Sequence, residues 1–496
     1  MTIPLQHPEQ AAQWLREHVR GSLRTDSRQV VSGDGFIAWP GAAQDGRHHV
    51  ASAVLSGASA CLVEREGVEG FDVGSGHVAD YAGLKAATGP IAAAYFDHPS
   101  RALQIAAVTG TNGKTTTAWW LAQALSRVGR RCGLVGTLGI GEPGRMVPNG
   151  LTTPDPVLLQ QHLRLFVQSG YTACALEASS IGIEEHRLDS VAIDVAVFTN
   201  FTQDHLDYHA GMETYWAAKR ALFDWPGLKC AVINLDDAKG VELLSSLAHR
   251  SLDIWSFSCL VPARLQARAI HHGPQGVSFE LVEGLETRRI DTALVGHFNV
   301  SNLLGVLATL RSLGVPFGDA VQACTDLLPV PGRMEVITDA GQPLVVVDYA
   351  HTHDALDKVL AALKPIALSR GGQLWCVFGC GGDRDASKRP LMARVAQQHA
   401  DRLVVTSDNP RGEDPLAIIE QVCQGLKHQS GVQVDADRAH AIANVLREAG
   451  ARDVVLLAGK GHEPYQEIQG IRVPYSDHAQ VAIALAARRA VGGLNT

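Results

Sequence analysis

The sequence predicts an α/β protein of three domains: a central parallel sheet wrapped by helices around a phosphate-binding loop, a domain before it, and a smaller doubly wound, Rossmann-like domain after it. Three observations carry this. At 496 residues the chain exceeds what one hydrophobic core ordinarily fills, so about three domains are expected. From residue 99 onward, apolar β-branched runs alternate with helical periodicity, the pattern of strands joined by crossover helices. Between one such run and one such helix lies Val108-Thr109-Gly110-Thr111-Asn112-Gly113-Lys114-Thr115-Thr116.

The first domain, residues 1–98, holds short apolar runs around a glycine-rich middle, with Asp26-Ser27-Arg28 and the stretch from Gly41 to Arg47 as polar turns. Asp97-His98-Pro99-Ser100 reads as the linker that ends it. Leu103 to Val108 is predicted as a buried strand, and Ala118, Leu121, Ala122 and Leu125 as the apolar face of the next helix. The glycine turn between them aims backbone N–H groups and a helix N-terminus at an anion. Lys114 is placed to reach the outer phosphates of a nucleotide, and the Thr115 hydroxyl to sit on its magnesium ion. The general P-loop has glycine where Val108 stands; here the nearest is Gly110.

Two further strands, Ala173 to Leu176 ending at Glu177 and Val191 to Thr199 ending at Asn200, put polar groups at strand carboxyl ends, where open α/β sheets gather function. Glu177 there suits a hard cation such as Mg²⁺, or caps the next helix. The loop that follows collects Asp204, His205, Asp207 and His209. Lys219, in a helical stretch with both apolar and basic groups, reads by itself as an ordinary solvated lysine. Pro329 to Arg333 closes the central domain, residues 99–333. In residues 334–496 the strands Leu344 to Val347, Leu374 to Phe378, Leu403 to Thr406 and Val454 to Ala458 each run into a polar loop.

Composition narrows the function. Hydrophobic residues make up 46% and charged residues 19%, a globular balance. The net charge of −8 gives no bulk attraction to nucleic acid or to an anionic membrane. Nine cysteines without C-x-x-C spacing are expected as reduced core thiols. No apolar run is long enough to span a bilayer and the N-terminus lacks a signal-like stretch, so a cytoplasmic enzyme is expected.

Taken in order, TGTNGKTT at 109–116, LEASS at 176–180, FTNFTQDHLDYH at 198–209, GHFNVSN at 296–302, GRMEV at 332–336 and VDYAHTHDAL at 347–356 resemble the Mur ligases, ATP-dependent amide-bond-forming enzymes of peptidoglycan synthesis. The P-loop departure is that family's own form. GCGGDRD at 379–385 and Asp408-Asn409-Pro410-Arg411 are similar to the branch that adds meso-diaminopimelate to UDP-MurNAc-L-Ala-D-Glu. The resemblance implies a UDP-substrate-binding first domain, an ATP-binding second and an amino-acid-binding third, in a monomer acting on small molecules.

It also implies roles by position. ATP contacts fall on Gly110, Thr111, Asn112, Gly113, Lys114, Thr115, Thr116, Asn299, Arg333, Asp348 and His351, with Asn302 beside them. Contacts to the UDP-MurNAc-dipeptide fall on Ser27, the Gly41 to Arg47 turn, Thr152, Thr153, Ser179, Glu185 and Arg187. Contacts to diaminopimelate fall on Arg384, Asp408, Asn409, Pro410, Arg411, Gly459 and Glu463. A planar guanidinium at Arg411 can grip, with two charge-assisted bonds, the distal carboxylate that lysine lacks, while Asp408 or Glu463 takes the distal ammonium. Lys114, Glu177, His205 and Lys219 are implied as catalytic, and Thr115, Glu177, His205 and Lys219 as holding metal. Lys219 matches a lysine carrying a CO₂-derived carbamate (N6-carboxylysine), which turns a cation into an anionic ligand.

The chain departs from the pattern at His353, where proline is usual, at Ile181, where histidine is common, and at Glu185, which replaces a glutamine and adds negative charge near an anionic substrate. A folylpolyglutamate synthase, a lysine-adding ligase and a nucleotide-binding switch share part of these features.

Overall fold

The computed structural model describes residues 2–492 except 42–43, 74–75, 274–275 and 338, with side chains through 489. Two residues of the Gly41 to Arg47 turn therefore lie outside the described residues. The first sheet runs Ile3–Leu5, Val78–Tyr81, Ala60–Glu64, Gly35–Ala38 and Leu23–Arg24, all parallel. Trp14 and Leu15 of helix Pro8–His18 and Ile91 of helix Leu84–Tyr95 fill one of its faces.

The second sheet has eleven strands. Its centre is parallel and runs Cys132–Gly136, Ala173–Glu177, Gln104–Thr109, Val195–Phe198, Cys230–Asn234 and Asp253–Ser258. Burial on both faces explains why these strands read as continuous apolar runs. In Gln104–Thr109 the alternation is visible: Ala106 and Val108 pack into one core and Ile105 and Ala107 into the other. Antiparallel hairpins widen the sheet at both margins, Gly139–Glu142 with Arg145–Val147 on one side and Leu265–Gly273, Gly276–Glu283 and Glu286–Thr292 on the other.

The third sheet runs Glu335–Ile337, Leu344–Asp348, Val454–Ala458, Leu374–Phe378, Arg402–Thr406 and Val432–Asp435. All its pairings are parallel except the first, and helices cover both faces, so this unit is doubly wound as expected. A separate hairpin, Tyr465–Ile468 with Ile471–Pro474, leans against the loop after Arg402–Thr406 through a bridge between Arg411 and Ile468.

One predicted strand is shorter than expected. Val191 to Thr199 pairs only over Val195–Phe198, because Asp194 spends its polar groups as a junction: its carboxylate accepts from Ile105 N at 2.9 Å and its carbonyl from Cys230 N at 3.0 Å. Among the described residues no disulfide forms, and seven of the nine cysteines are buried, with Cys259 and Cys423 partly so. No helix among the described residues is long and apolar enough to cross a membrane.

Candidate active site

The carboxyl ends of the second sheet's parallel strands and the loops of the third sheet face one cavity of about 1860 Å³. Its floor is the glycine turn. Gly110 adopts φ +148° and Gly113 φ +86°; a Cβ would stand 1.9 Å from Thr199 Oγ1 at the first and 2.4 Å from Asn302 Oδ1 at the second. Both positions thus need glycine for conformation and for space. The helix Lys114–Arg127 starts directly after the turn. The half-buried Lys114 donates to the Gly110 and Thr111 carbonyls at 2.7 and 2.9 Å; burial pulls its ammonium below the ordinary lysine range, with Glu177 and Asp204 opposing.

Glu177 ends its strand fully buried. Its Oε2 accepts from the Thr115 hydroxyl at 2.9 Å and its Oε1 from Thr137 N at 2.8 Å. Burial still raises its pKa above the usual carboxylate range. A buried carboxylate that also accepts from the Thr137 hydroxyl at 3.2 Å, in an oxygen-rich setting, fits a hard divalent cation. Lys219, the last turn of helix Met212–Arg220, is not solvated: it is 1% exposed and donates to the Gly110 carbonyl at 2.8 Å. Burial, with Lys114 nearby, holds its amine well below the ordinary lysine range. His205 is pushed down to about 4, chiefly by burial. Among the described residues no three His, Cys, Asp or Glu side chains converge as a ready metal site.

Next to Glu177 lies a hydroxyl-rich wall. Thr153 Oγ1 donates to the Glu177 carbonyl at 2.8 Å and lies 2.9 Å from Ser179 Oγ; Thr137 and Thr152 hydroxyls are 3.0 Å apart. Ser179 caps the short helix Ser180–Glu184, and Arg187 reaches back to the Thr153 carbonyl at 3.0 Å. Ile181 faces the cavity with them. Glu185 does not line the cavity, and neither does Ser27, which sits in the turn after Leu23–Arg24.

The third unit closes the opposite wall. Asp348 accepts from Met334 N and Ala350 N at 2.7 Å each; Arg333 stacks on the Tyr349 ring at 4.2 Å and reaches the Thr115 hydroxyl at 3.4 Å. His351 lies 3.8 Å and Lys388 3.9 Å from the Asp204 carboxylate. These partners hold Asp204 well below its usual range despite burial. Asn299 and Asn302 bond each other at 3.2 Å beside the glycine turn.

Farther along the same cavity are Arg384, Asp408, Asn409, Arg411, Gly459 and Glu463. Arg411 takes φ +50° and is held by both main-chain groups: its N donates to the Glu467 carbonyl at 2.9 Å and its carbonyl accepts from Gln469 N at 2.7 Å. Its Nη1 donates to the Gly382 carbonyl at 2.8 Å. Asn409 donates to Glu463 at 2.8 Å, and the fully buried Lys460 donates to Asn409 and Glu463 at 2.9 and 3.0 Å. Pro410 is not among the lining residues.

Sequence reasoning missed Thr137, Lys388 and Lys460. For Thr137 a signal existed: Gly136 precedes it, and a Cβ there would come 2.2 Å from Glu177 Oε1. Lys460 stands between Gly459 and Gly461 in the loop after Val454–Ala458, and a lysine gives no sequence sign of burial.

The pattern of the Mur ligase middle domain matches residues 108–310, and that of the Mur ligase glutamate ligase domain matches residues 332–461. The chain is 59% identical over 490 residues to the UDP-N-acetylmuramoyl-L-alanyl-D-glutamate--2,6-diaminopimelate ligase of Acidovorax sp. (strain JS42), covering 97% of this chain and 98% of that one. It is 46% identical to the Pseudomonas aeruginosa protein of the same name, covering 94% and 95%. A solved structure of that name superposes with a TM-score of 0.63 at 37% identity over 94% of this chain and 95% of that one. MurF from Acinetobacter baumannii superposes at 0.66 with 20% identity over 96% and 98%, a likeness of fold.

Proposed function

The chain belongs to the Mur ligase family, and from that membership we propose that it spends ATP to join meso-diaminopimelate to the D-glutamate of UDP-MurNAc-L-Ala-D-Glu. The observation that carries the reading is one cavity lined both by a nucleotide-type glycine turn and by Arg384 and Arg411. Divisions at 98/99 and 333/334 separate UDP-substrate, ATP and amino-acid units.

In this reading the D-Glu γ-carboxylate attacks the γ-phosphorus of ATP, the bond to the β-bridging oxygen breaks, and ADP leaves. The resulting acyl phosphate exposes a carbonyl with a good leaving group. The diaminopimelate amine attacks that carbon, loses a proton, and phosphate departs as the amide forms. Lys114 and the N–H groups of the glycine turn neutralise the phosphate charge that develops. Thr115, Glu177, His205 and a carbamate on Lys219 would hold Mg²⁺, which supplies further charge neutralisation when bound. Carbamates form on the neutral amine, and burial beside Lys114 shifts Lys219 toward that form, which supports the modification. Thr152, Ser179 and Arg187 orient the sugar-peptide by hydroxyl and guanidinium contacts, while Thr153, fully buried and outside the cavity lining, holds Ser179 in place. Arg411 and Arg384 take the distal carboxylate of the amino acid, and Asp408 or Glu463 its ammonium. Closure of the third unit over the cavity excludes water, which would otherwise hydrolyse the acyl phosphate.

The test is phosphate release from ATP with UDP-MurNAc-L-Ala-D-Glu and either meso-diaminopimelate or lysine. Turnover with the first amine and at least about tenfold less with lysine is expected, and Arg411→Ala should erase most of that preference. No amine-dependent product from the muramyl dipeptide would sink the reading.

A further inference from the structure

Three segments converge beside the cavity without lining it. Lys85 stands in the first turn of helix Leu84–Tyr95, in the first unit; Glu185 follows helix Ser180–Glu184; Tyr208 lies three residues past His205. Lys85 Nζ is 2.8 Å from Glu185 Oε2, and the Tyr208 hydroxyl donates to Glu185 Oε1 at 2.6 Å. Both carboxylate oxygens are therefore engaged, and Glu185 is not among the residues lining the cavity, which its sequence neighbours Ser179 and Arg187 on either side do line.

The adjoining contacts extend this anchor. His209 Nε2 is 3.0 Å from Ser180 Oγ, and its Nδ1 is 3.1 Å from Glu184 Oε2. Tyr208 N and His209 N both donate to the His205 carbonyl, at 3.1 and 2.9 Å. One ion pair and one hydrogen bond thus connect the first unit to the loop that carries His205.

We propose that Lys85 is a positioning residue for the sugar-peptide substrate, neutralising Glu185 and fixing residues 179–187 and 204–209 against the first unit. This rests on the function proposed above. A glutamine at 185 would accept the Tyr208 bond without carrying charge; a glutamate there needs a cation, because an unpaired carboxylate next to an anionic substrate repels it. Lys85 and Glu185 side chains are 36% and 20% exposed, so the pair adds little to folding and its loss registers on substrate binding.

The experiment measures kcat and KM for UDP-MurNAc-L-Ala-D-Glu, and KM for ATP, in the full chain carrying K85M, K85R, E185Q and K85M/E185Q, with a thermal melt of each. K85M should raise KM for the sugar-peptide about tenfold while KM for ATP stays within about twofold, and K85R should stay within about twofold of wild type. Removing Lys85 from the E185Q protein should change that KM less than about twofold, since no orphaned charge remains. That comparison also decides the matter if K85M itself melts early. An unchanged KM in K85M, or a tenfold rise on removing Lys85 from E185Q, overturns the inference. Wild-type protein that forms no tripeptide product would sink the underlying function instead.

Discussion

Lys219 shows how much a single side chain depends on its surroundings. From its neighbours in sequence it reads as a surface cation; in the fold, Tyr215 and Trp216 on the same helix are buried and carry it inward against the Gly110 carbonyl. No periodicity within Met212–Arg220 reveals this, because the covering surface comes from the glycine turn, about a hundred residues away in sequence. Only the family motif singled it out. Lys219→Arg keeps a cation but forbids carbamate formation, so activity should fall by about two to three orders of magnitude. Mass spectrometry of the intact wild-type protein under CO₂ should show an adduct that the variant lacks. His462 gives a pH prediction. Burial first, then Arg333, His478 and Lys460, push it down to about 3. Between pH 6.5 and that value the unfolded chain binds a proton that the folded chain refuses, so stability falls as pH falls through this window. Urea midpoints should drop from pH 7 to pH 5, and His462→Asn should remove roughly 1–2 kcal/mol of that drop.

At the scale of elements, the strand ends were legible and the strand beginnings less so. Ala173–Glu177 and Leu374–Phe378 stand as read, since apolar runs bounded by polar loops have one interpretation in a two-sided parallel sheet. Val195–Phe198 starts late because Asp194 is recruited by two neighbouring strands, a tertiary choice absent from local pattern. The glycine turn was legible for a different reason: its two glycines are fixed by backbone geometry. Gly113→Ala forces a Cβ to 2.4 Å from Asn302 Oδ1 at φ +86° and should cost about 1–3 kcal/mol of stability, with a weaker response to ATP in a thermal shift assay. Gly67→Ala, also at positive φ (+72°) but with nothing within 4 Å, isolates the conformational part of that cost and should lose less. The Arg411 turn combines both lessons. The motif marked the residue, yet the hairpin Tyr465–Pro474 that fixes its main chain has no signature near it in sequence.

Across the whole molecule, three sheets were foreseeable from length and alternation, but the contacts between units were not. The second and third units meet through Asn112 and Thr202, which donate to Asp354 at 3.0 and 3.4 Å, and through Gln203 with Ser387 at 3.2 Å. These depend on how the units are docked, and nothing local in sequence records that. Asp354→Ala removes the shared acceptor while leaving both units intact. Small-angle scattering of the nucleotide-free variant should show a larger radius of gyration than wild type, and ATP with both substrates should draw it back.

The sulfur chemistry noted with the fold has a practical use. Cys61, Cys174, Cys230, Cys324 and Cys380 have thiols pushed up to about 12 by burial, so almost no thiolate is present at neutral pH. Their alkylation then requires the polypeptide to open, and because these five positions are distributed over all three units, the order in which a maleimide labels them would report which unit lets go first.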